Sequence, residues 1–416
     1  MRNEKQILAI EHFTGPCLVV AGPGSGKTKC LVERVYHLID VHHISPDKIL
    51  VLTFTKDAAK EMKDRFLKQS SCVTKIPFFG TFHSFFYTIL KEEYHFTNEN
   101  IITSKSAYSL LMKSLTEHGI KASSLDVFGV LKEISSCTNQ NISPKEYESR
   151  LLEHRFERVY ATYQKKKEEN HYIDFDDMQT LVYKLFSSNK SVLKKWQDRY
   201  SFVLLDEMQD INEVQFFVTK LLCEEHNNLF AVGDDDQSIY SWRGADVDNI
   251  LNFGKVFPDA KVVRLERNYR STVHILGAAS ALIANNHGRL GKTLYVADEA
   301  SNVGHLVVVQ GYWNGAQEAE KVIEQVEDRQ RQGVKLSDMA ILVRAGFQTR
   351  EFEDVLVKSG IPYKIIGGFK FYERQEIRDA VAYLRLVLNP NDDLAFVRIV
   401  NLPRRGIGEV VMRSLQ

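Results

Sequence analysis

The sequence predicts an α/β protein built on a parallel sheet, interrupted by inserted helical segments. Three observations carry that expectation. Short apolar runs alternate with helix-spaced segments over the first 90 residues. The first run ends in a glycine-rich turn that leads directly into a helix. The alternation resumes between 202 and 265, after a long charged stretch poor in strand runs.

Taken in order, residues 17–21 (CLVVA) form a short buried strand. After the glycine turn, Thr28 to Asp40 shows helical spacing through Leu31, Val35, Leu38 and Ile39. A second buried strand is expected at Ile49–Phe54, then a helix from Asp57 to Lys68. The Gly80–Leu90 segment opens as a turn and continues as an aromatic-rich helix. Residues 91–198 read as an inserted helical subdomain, with Lys165–Glu169 (KKKEE) as a solvated charge block. Strands return at 202–206 (FVLLD), 229–233 (LFAVG) and 261–265 (KVVRL). A third region, 305–376, carries three further apolar runs that predict strands: HLVVVQGY, MAILVRA and PYKIIGG. From Gln375 the pattern is helical again (IRDAVAYLRLVL).

Composition bounds the function. The 416 residues are 44% hydrophobic and 26% charged, values of an ordinary globular protein of two to four domains, which excludes a wholly disordered, collagenous or coiled-coil chain. Lys plus Arg and Asp plus Glu are both 54, so the net charge is zero and a nucleic-acid partner would need a local basic groove. The five cysteines are scattered, with no C-x-x-C pair and no zinc spacing. Met1–Ile10 lacks the apolar core of a signal peptide, and no apolar run approaches the ~18 residues of a membrane span. A cytoplasmic location with reduced thiols is expected.

Three segments carry chemistry. Ala21-Gly22-Pro23-Gly24-Ser25-Gly26-Lys27-Thr28 fits a phosphate-binding loop. Glycines let backbone N–H groups approach phosphate oxygens, and the following helix directs its positive end at the same place. Lys27 would neutralise the β/γ phosphates, and the Thr28 hydroxyl would ligate magnesium. A plain glycine turn before a helix is the competing reading. In Phe202-Val-Leu-Leu-Asp-Glu-Met-Gln-Asp210, an apolar strand delivers Asp206 and Glu207 to its end. Asp206 would hold Mg2+ and Glu207 would orient and deprotonate the attacking water, whereas alone such a pair could be a solvated strand end. In Val232-Gly-Asp-Asp-Asp-Gln-Ser-Ile-Tyr-Ser-Trp-Arg-Gly-Ala245, a calcium loop fails, because Ile239 and Ala245 stand where Gly and an acid are needed. Gln237 can bridge a γ-phosphate and a neighbouring strand. Tyr240 and Trp242 either offer faces to bases or pack in a core.

With these segments in place the chain resembles the superfamily 1 DNA helicases of the UvrD/Rep/PcrA type. The motifs follow that family's order: Asn3-Glu-Lys-Gln6, AGPGSGKT, Leu52-Thr-Phe-Thr-Lys-Asp-Ala-Ala59, Gly80-Thr-Phe-His-Ser84, Asp174-Phe-Asp-Asp177, DEMQD, GDDDQSIYSWRGA and Leu265-Glu-Arg-Asn-Tyr-Arg-Ser271. The likeness continues through Gly367-Gly-Phe-Lys-Phe-Tyr-Glu-Arg-Gln375 to Leu402-Pro-Arg-Arg-Gly-Ile-Gly408. It implies RecA-like phosphate-loop NTPase lobes with inserted helical subdomains. Residues 1–90 and 199–275 would be the first lobe, 91–198 its insertion, 276–376 a partial second lobe, and 377–416 the start of a second insertion.

The resemblance also implies roles. Gln6 would read the adenine edge, Tyr269 would stack on the adenine, and Arg270 would contact the γ-phosphate. Phe54, Thr81, His83, Tyr240 and Trp242 would line a single-stranded DNA track, and Arg243 would couple it to the ATP site. His83 reads equally as a packed histidine. Met208 stands where the family usually has Phe, an adaptable filler of little consequence. The family's later motifs are not found between 376 and 416, so the chain is expected to be truncated before the C-terminal helicase motifs. The implied activity is ATP- and magnesium-dependent 3′-to-5′ translocation or unwinding, on single-stranded and tailed duplex DNA. A protein partner or missing C-terminal portion would complete the second lobe. The alternative is an unwinding-deficient, nucleotide-gated single-strand-binding or regulatory protein. A small-molecule kinase would leave GDDDQSIYSWRGA and NYRS without a task.

Overall fold

The computed structural model describes residues 2–69, 75–121, 125–297, 303–366, 375–390, 392–407 and 411. Two compact units result, Met1–Val307 and Val308–Gln416.

The first unit is organised by a parallel six-stranded sheet in the order β3-β2-β4-β5-β1-β6. Its strands are β1 (Cys17–Ala21), β2 (Ile49–Thr53), β3 (Phe78–Thr81), β4 (Phe202–Leu205), β5 (Leu229–Gly233) and β6 (Lys261–Leu265). Strands covered on both faces need apolar residues at every position, which is why β1, β2, β4 and β5 are continuous apolar runs, whereas the edge strand β6 alternates, with Val263 and Leu265 buried and Val262 and Arg264 exposed. Cys17, Val19 and Ala21 of β1 join one buried layer with Leu31 and Val35. Leu18 and Val20 join the opposite layer with Phe86 and Trp196.

The first of these layers belongs to α1 (Glu4–Ile10), α2 (Lys27–Asp40) and α3 (Lys56–Gln69). The second is filled from α4 (Phe82–Tyr94) and from helices later in the chain. Between β3 and β4 come α5 (Ser104–Glu117), α6 (Val127–Asn139), α7 (Phe156–Glu169), α8 (Phe175–Ser188) and α9 (Lys190–Arg199). Helices α5, α6 and α7 share a separate core around Leu111, Val130 and Phe156. Helices α8 and α9 bury Val182 and Trp196 against the sheet.

Helix α10 (Glu213–Cys223) connects β4 to β5, and the single-turn helices α11 (Asp248–Leu251) and α12 (Phe253–Val256) precede β6. After β6, β7 (Arg267–Asn268) leads into α13 (Val273–Ile283), and β8 (Tyr295–Val296) returns to pair with β7 in parallel.

The second unit contains α14 (Gly315–Arg331), α15 (Thr349–Lys358), α16 (Gln375–Leu388) and α17 (Asp393–Ile399). Helix α14 packs on α15, and α16 on α17. The strands expected at 305–312, 339–345 and 362–366 do not form among the described residues. Apolar composition alone does not make a strand, because a ladder needs a neighbour to exchange N–H and C=O groups. Val309 (94% exposed), Leu342 (93%) and Ile366 (88%) have neither a ladder nor a covering layer. Most of the Gly367–Gln375 motif lies outside the described residues, as does the end of the Leu402–Gly408 motif.

Candidate nucleotide-binding site

The strands of a parallel sheet all point one way, so their carboxyl ends bring distant segments to one edge. At the end of β1 the chain turns through Gly22–Gly26 into α2. Gly24 and Gly26 have φ of +69° and +91°, a left-handed conformation that side-chain-bearing residues rarely adopt. A Cβ on Gly24 would lie 2.7 Å from the Arg270 Cβ and 2.8 Å from Asn268 Nδ2. The Ser25 hydroxyl, buried, donates to Gly22 O at 2.7 Å and fixes the loop from within. Lys27 and Thr28 open α2, where free N–H groups face the loop.

Gln6 is held by a capping box at the start of α1, with its N–H donating to Asn3 Oδ1 at 2.8 Å. Its amide Nε2 donates to Ser25 O at 2.9 Å, so its head group lies against the phosphate loop. Arg34 of α2, buried, donates to carbonyls at the end of α1, including those of His12 and Phe13. Its guanidinium also lies 4.4 Å over the Phe230 ring. The helix that starts at the loop thus clamps the helix that carries Gln6.

Tyr269 and Arg270 reach the same loop from the other side of the chain, through Asn268. Asn268 is 1% exposed. Its Nδ2 donates to Pro23 O at 2.6 Å, while its Oδ1 accepts from the N–H groups of Arg270 (2.9 Å) and Ser271 (2.7 Å). Tyr269 N–H donates to Gly24 O at 3.0 Å, and its hydroxyl accepts from Asn3 Nδ2 at 3.0 Å. Sequence reasoning named Tyr269 and Arg270 and passed over Asn268, which docks both. A short polar side chain inside a strand-turn was the available signal.

Asp206 and Glu207 follow β4. Asp206 is buried, and its Oδ1 has no hydrogen-bond partner. Burial, reinforced by the Glu207 charge, pushes its carboxyl up to about 7. Glu207 takes φ +52°, an uncommon conformation for a residue with a side chain and one that recurs at functional sites. Its Oε2 accepts from Lys27 Nζ at 3.0 Å and from Gln209 Nε2 at 2.8 Å. Gln209 Oε1 in turn accepts from Asp234 N–H at 2.9 Å, at the end of β5. Gln209 therefore ties the acids after β4 to the turn after β5, a link the sequence reading left unassigned. Met208 is buried in the sheet core.

Gln237 lies in the turn after β5. Its Nε2 donates to Asp234 Oδ2, so its amide is engaged inside that turn. Further along, Tyr240 stacks on Phe54, at the end of β2, with ring centroids 5.1 Å apart. Trp242 lies 6.3 Å from Tyr240 and is 62% exposed. The Arg243 backbone closes this 3-10 turn, and its side chain lies outside the described ones. Thr81 caps α4 by accepting from Ser84 N–H at 3.2 Å. His83 meets Phe175 edge to face at 5.4 Å, and burial, with the nearby Lys56, lowers its pKa. Two groups thus form on one edge: Gln6, the loop, Lys27, Asp206, Glu207, Tyr269 and Arg270 on one side, and the Phe54–Tyr240–Trp242 aromatics on the other.

A parallel sheet with a glycine loop between β1 and α2, and paired acids after an inner strand, defines a P-loop NTPase fold. Within that class the chain belongs to the UvrD/REP helicase family. The family model of the UvrD/REP helicase N-terminal domain matches residues 2–258, and that of the UvrD-like helicase C-terminal domain matches 263–416. The ATP-dependent DNA helicase PcrA of Bacillus subtilis is 39% identical over 422 residues, which cover 99% of this chain and 57% of the relative. The PcrA of Staphylococcus aureus is 37% identical over 424 residues, covering 100% of this chain and 57% of the relative. A probable DNA helicase II homolog of Rickettsia felis is 39% identical over 433 residues, covering 100% and 64%. The expectation of a chain truncated before the C-terminal helicase motifs is not supported, because the C-terminal-domain model matches 263–416. The chain spans 57% of the length of the two PcrA relatives. No described helix is long and apolar enough to cross a membrane.

Proposed function

We propose that this chain binds and hydrolyses ATP and uses the cycle to move 3′-to-5′ along single-stranded DNA, as a UvrD-like helicase or translocase acting on tailed duplexes. The observation that carries the reading is the convergence of three separate segments on the phosphate loop, with a fourth joined to them through Gln209. The three are α1 with Gln6, the β4 end with Asp206 and Glu207, and β7 with Tyr269 and Arg270; the fourth is the β5 turn with Gln237. A mere glycine turn before a helix has no use for that convergence.

The residues fit a magnesium ion. Asp206 Oδ1 is a buried acceptor with no donor, and Thr28 offers a hydroxyl at the start of α2. When bound, magnesium would supply charge neutralisation between the β and γ phosphates. Lys27 would exchange its contact with Glu207 for the phosphates. Glu207, still held by Gln209, would then be free to orient the attacking water and take its proton. Gln6 would read the adenine edge, Tyr269 would stack on the base, and Arg270 would approach the γ-phosphate from β7. Gln237 would exchange its bond to Asp234 for the γ-phosphate and report its presence to the Tyr240–Trp242 turn. Phe54, Tyr240 and Trp242 would offer faces to successive bases, with Thr81, His83 and Arg243 along the same track. Residues 91–198 would form an inserted helical subdomain, 276–376 would belong to a second lobe, and 377–416 to a second insertion. The location we propose is the cytoplasm.

The test is ATP turnover with and without single-stranded DNA, followed by strand displacement on a 3′-tailed duplex. Glu207→Gln should keep ATP binding and lose roughly 10²–10⁴-fold in turnover, the range of a general base. An equally fast Glu207→Gln enzyme would assign the proton transfer elsewhere. Absence of DNA-stimulated turnover in the unaltered chain would overturn the proposal.

A further inference from the structure

A second polar cluster lies beside the site, and the reading above uses only its Asp234, as the partner of Gln237 and Gln209. Asp234, Asp235 and Asp236 each offer a carboxylate oxygen, all within 4.8 Å of one another. Among them lies Lys292, whose side chain is 1% exposed. Its Nζ is 2.6 Å from Asp234 Oδ1, 3.2 Å from Asp235 Oδ1 and 2.5 Å from Asp236 Oδ2. Arg289 adds a two-pronged contact to Asp236, and Leu290 N–H donates to Asp235 Oδ2 at 2.8 Å. Three carboxylates this close repel one another strongly away from water, and the ammonium among them, with the Arg289 guanidinium on Asp236, offsets that repulsion.

The segment that delivers Lys292 also touches the rest of the site. Leu294 lies against Gly22 of the phosphate loop, where a Cβ would be 2.3 Å from its Cδ2. Thr293 N–H donates to Glu266 Oε1 at 2.8 Å, and β8 pairs with β7, the strand that carries Asn268. The held turn presents Asp234 N–H to Gln209 and Asp234 Oδ2 to Gln237.

The geometry points to Lys292 as a positioning residue for ATP hydrolysis: an internal cation that locks the Asp234–Gln237 turn, and through it Gln209 and Glu207. It rests on the ATPase reading above. Lys292 touches neither nucleotide nor water; it sets where Gln237 and Glu207 stand. A loop lysine ordinarily pairs weakly with solvent-exposed acids, whereas this one is enclosed by three.

The experiment compares the unaltered 416-residue chain with Lys292→Met by ATP turnover, fluorescent ATP-analogue titration and thermal melting with and without calcium. Turnover should fall roughly 10–100-fold, the loss expected when a reacting group moves by about 1 Å. Analogue affinity should stay within about threefold, since the Lys292 side chain ends on Asp234, Asp235 and Asp236 and the substitution leaves Leu294 against Gly22. Calcium should raise the melting point of Lys292→Met more than that of the unaltered chain, because the ion can take the place of the ammonium. A folded Lys292→Met with unchanged turnover overturns the proposal, as does turnover lost in step with analogue affinity. Should Lys292→Met not fold, adding Asp235→Asn removes one of the repelling charges, and the folded double variant should still turn over slowly. Normal turnover in that double variant overturns the proposal. If the unaltered chain itself shows no turnover, the ATPase reading fails, and the calcium shift still decides whether Lys292 is the internal cation; no extra shift overturns it.

Discussion

Asn268→Ala isolates the joint between the β7 segment and the phosphate loop. The side chain makes one hydrogen bond to Pro23 O and accepts two from the backbone of Arg270 and Ser271, all buried or partly buried. At about 0.5–1.5 kcal/mol net for each bond, the substitution removes about 3 kcal/mol. That loss does not all appear as global unfolding. Tyr269 N–H still donates to Gly24 O, and β7 still pairs with β8. The Asn268 Oδ1 bonds form an Asx-type brace that shapes the turn from 268 to 271 and holds Arg270 N–H and Ser271 N–H together. Much of the cost should therefore fall on the placement of Tyr269 and Arg270. The assay pairs a thermal melt with titration of a fluorescent ATP analogue. Affinity should fall roughly 10–100-fold, which at 1.4 kcal/mol per decade accounts for about half to most of the total. Affinity within twofold of the unaltered chain, in a variant that melts normally, would show that Asn268 does not place the nucleotide-facing side chains.

Lys27→Ala should abolish analogue binding while leaving the fold intact, because the side chain ends on Glu207 at the loop and fills no core; retained affinity in a titration would remove the phosphate-loop assignment. Trp242→Ala should weaken single-stranded DNA binding by roughly 1–3 kcal/mol with little change in salt slope, measured by anisotropy across a salt series; an altered slope with full affinity at low salt would mean a phosphate contact in place of stacking. Asp210→Asn tests a pH dependence. Burial, then the Glu207 charge, push the Asp210 carboxyl up to about 7, and its Oδ1 has no partner. The folded chain holds a proton there that the unfolded chain releases near 3.8, so this group costs stability progressively as pH rises from about 4 to about 7. Asp210→Asn should therefore melt higher than the unaltered chain at pH 8, with the gain vanishing below pH 4, and a gain that grows on acidification would contradict the assignment.

The parts of the fold legible in the sequence are those whose physics is local. Cys17–Ala21 is apolar at every position because both faces of β1 are covered, and the glycines after it need positive φ. Asp206 and Glu207 could be placed because a strand of known length delivers them. What stayed hidden depends on contacts between distant segments. Asn268 meets Pro23 across 245 positions. Lys292 reads as an ordinary loop lysine, and nothing near it in sequence says that three carboxylates enclose it. Arg34 reads as a charge on an amphipathic helix and proves to be a buried clamp on carbonyls. The apolar runs at 305–312 and 339–345 mislead for the opposite reason: composition predicts strands, and no ladder partner exists among the described residues.

The strand order explains why the proposed ATP site and the proposed base-stacking surface can share one edge. Reading across the sheet, β3 ends in Thr81 and β2 leads into Phe54, while β4, β5 and β1 lead into the acids, the Asp234 turn and the phosphate loop. The boundary falls between β2 and β4, and the turn after β5 reaches across it. Gln209 links Glu207 to Asp234, and the same turn continues to Tyr240, whose ring lies on Phe54. A shift of Gln237, three residues before Tyr240 begins the aromatic turn, toward a γ-phosphate would have to release Asp234 Oδ2. The distance is short enough that the strands need not move. The rigid sheet holds both groups in place, and the turn after β5 is the element able to carry a change at the phosphates to the stacked rings.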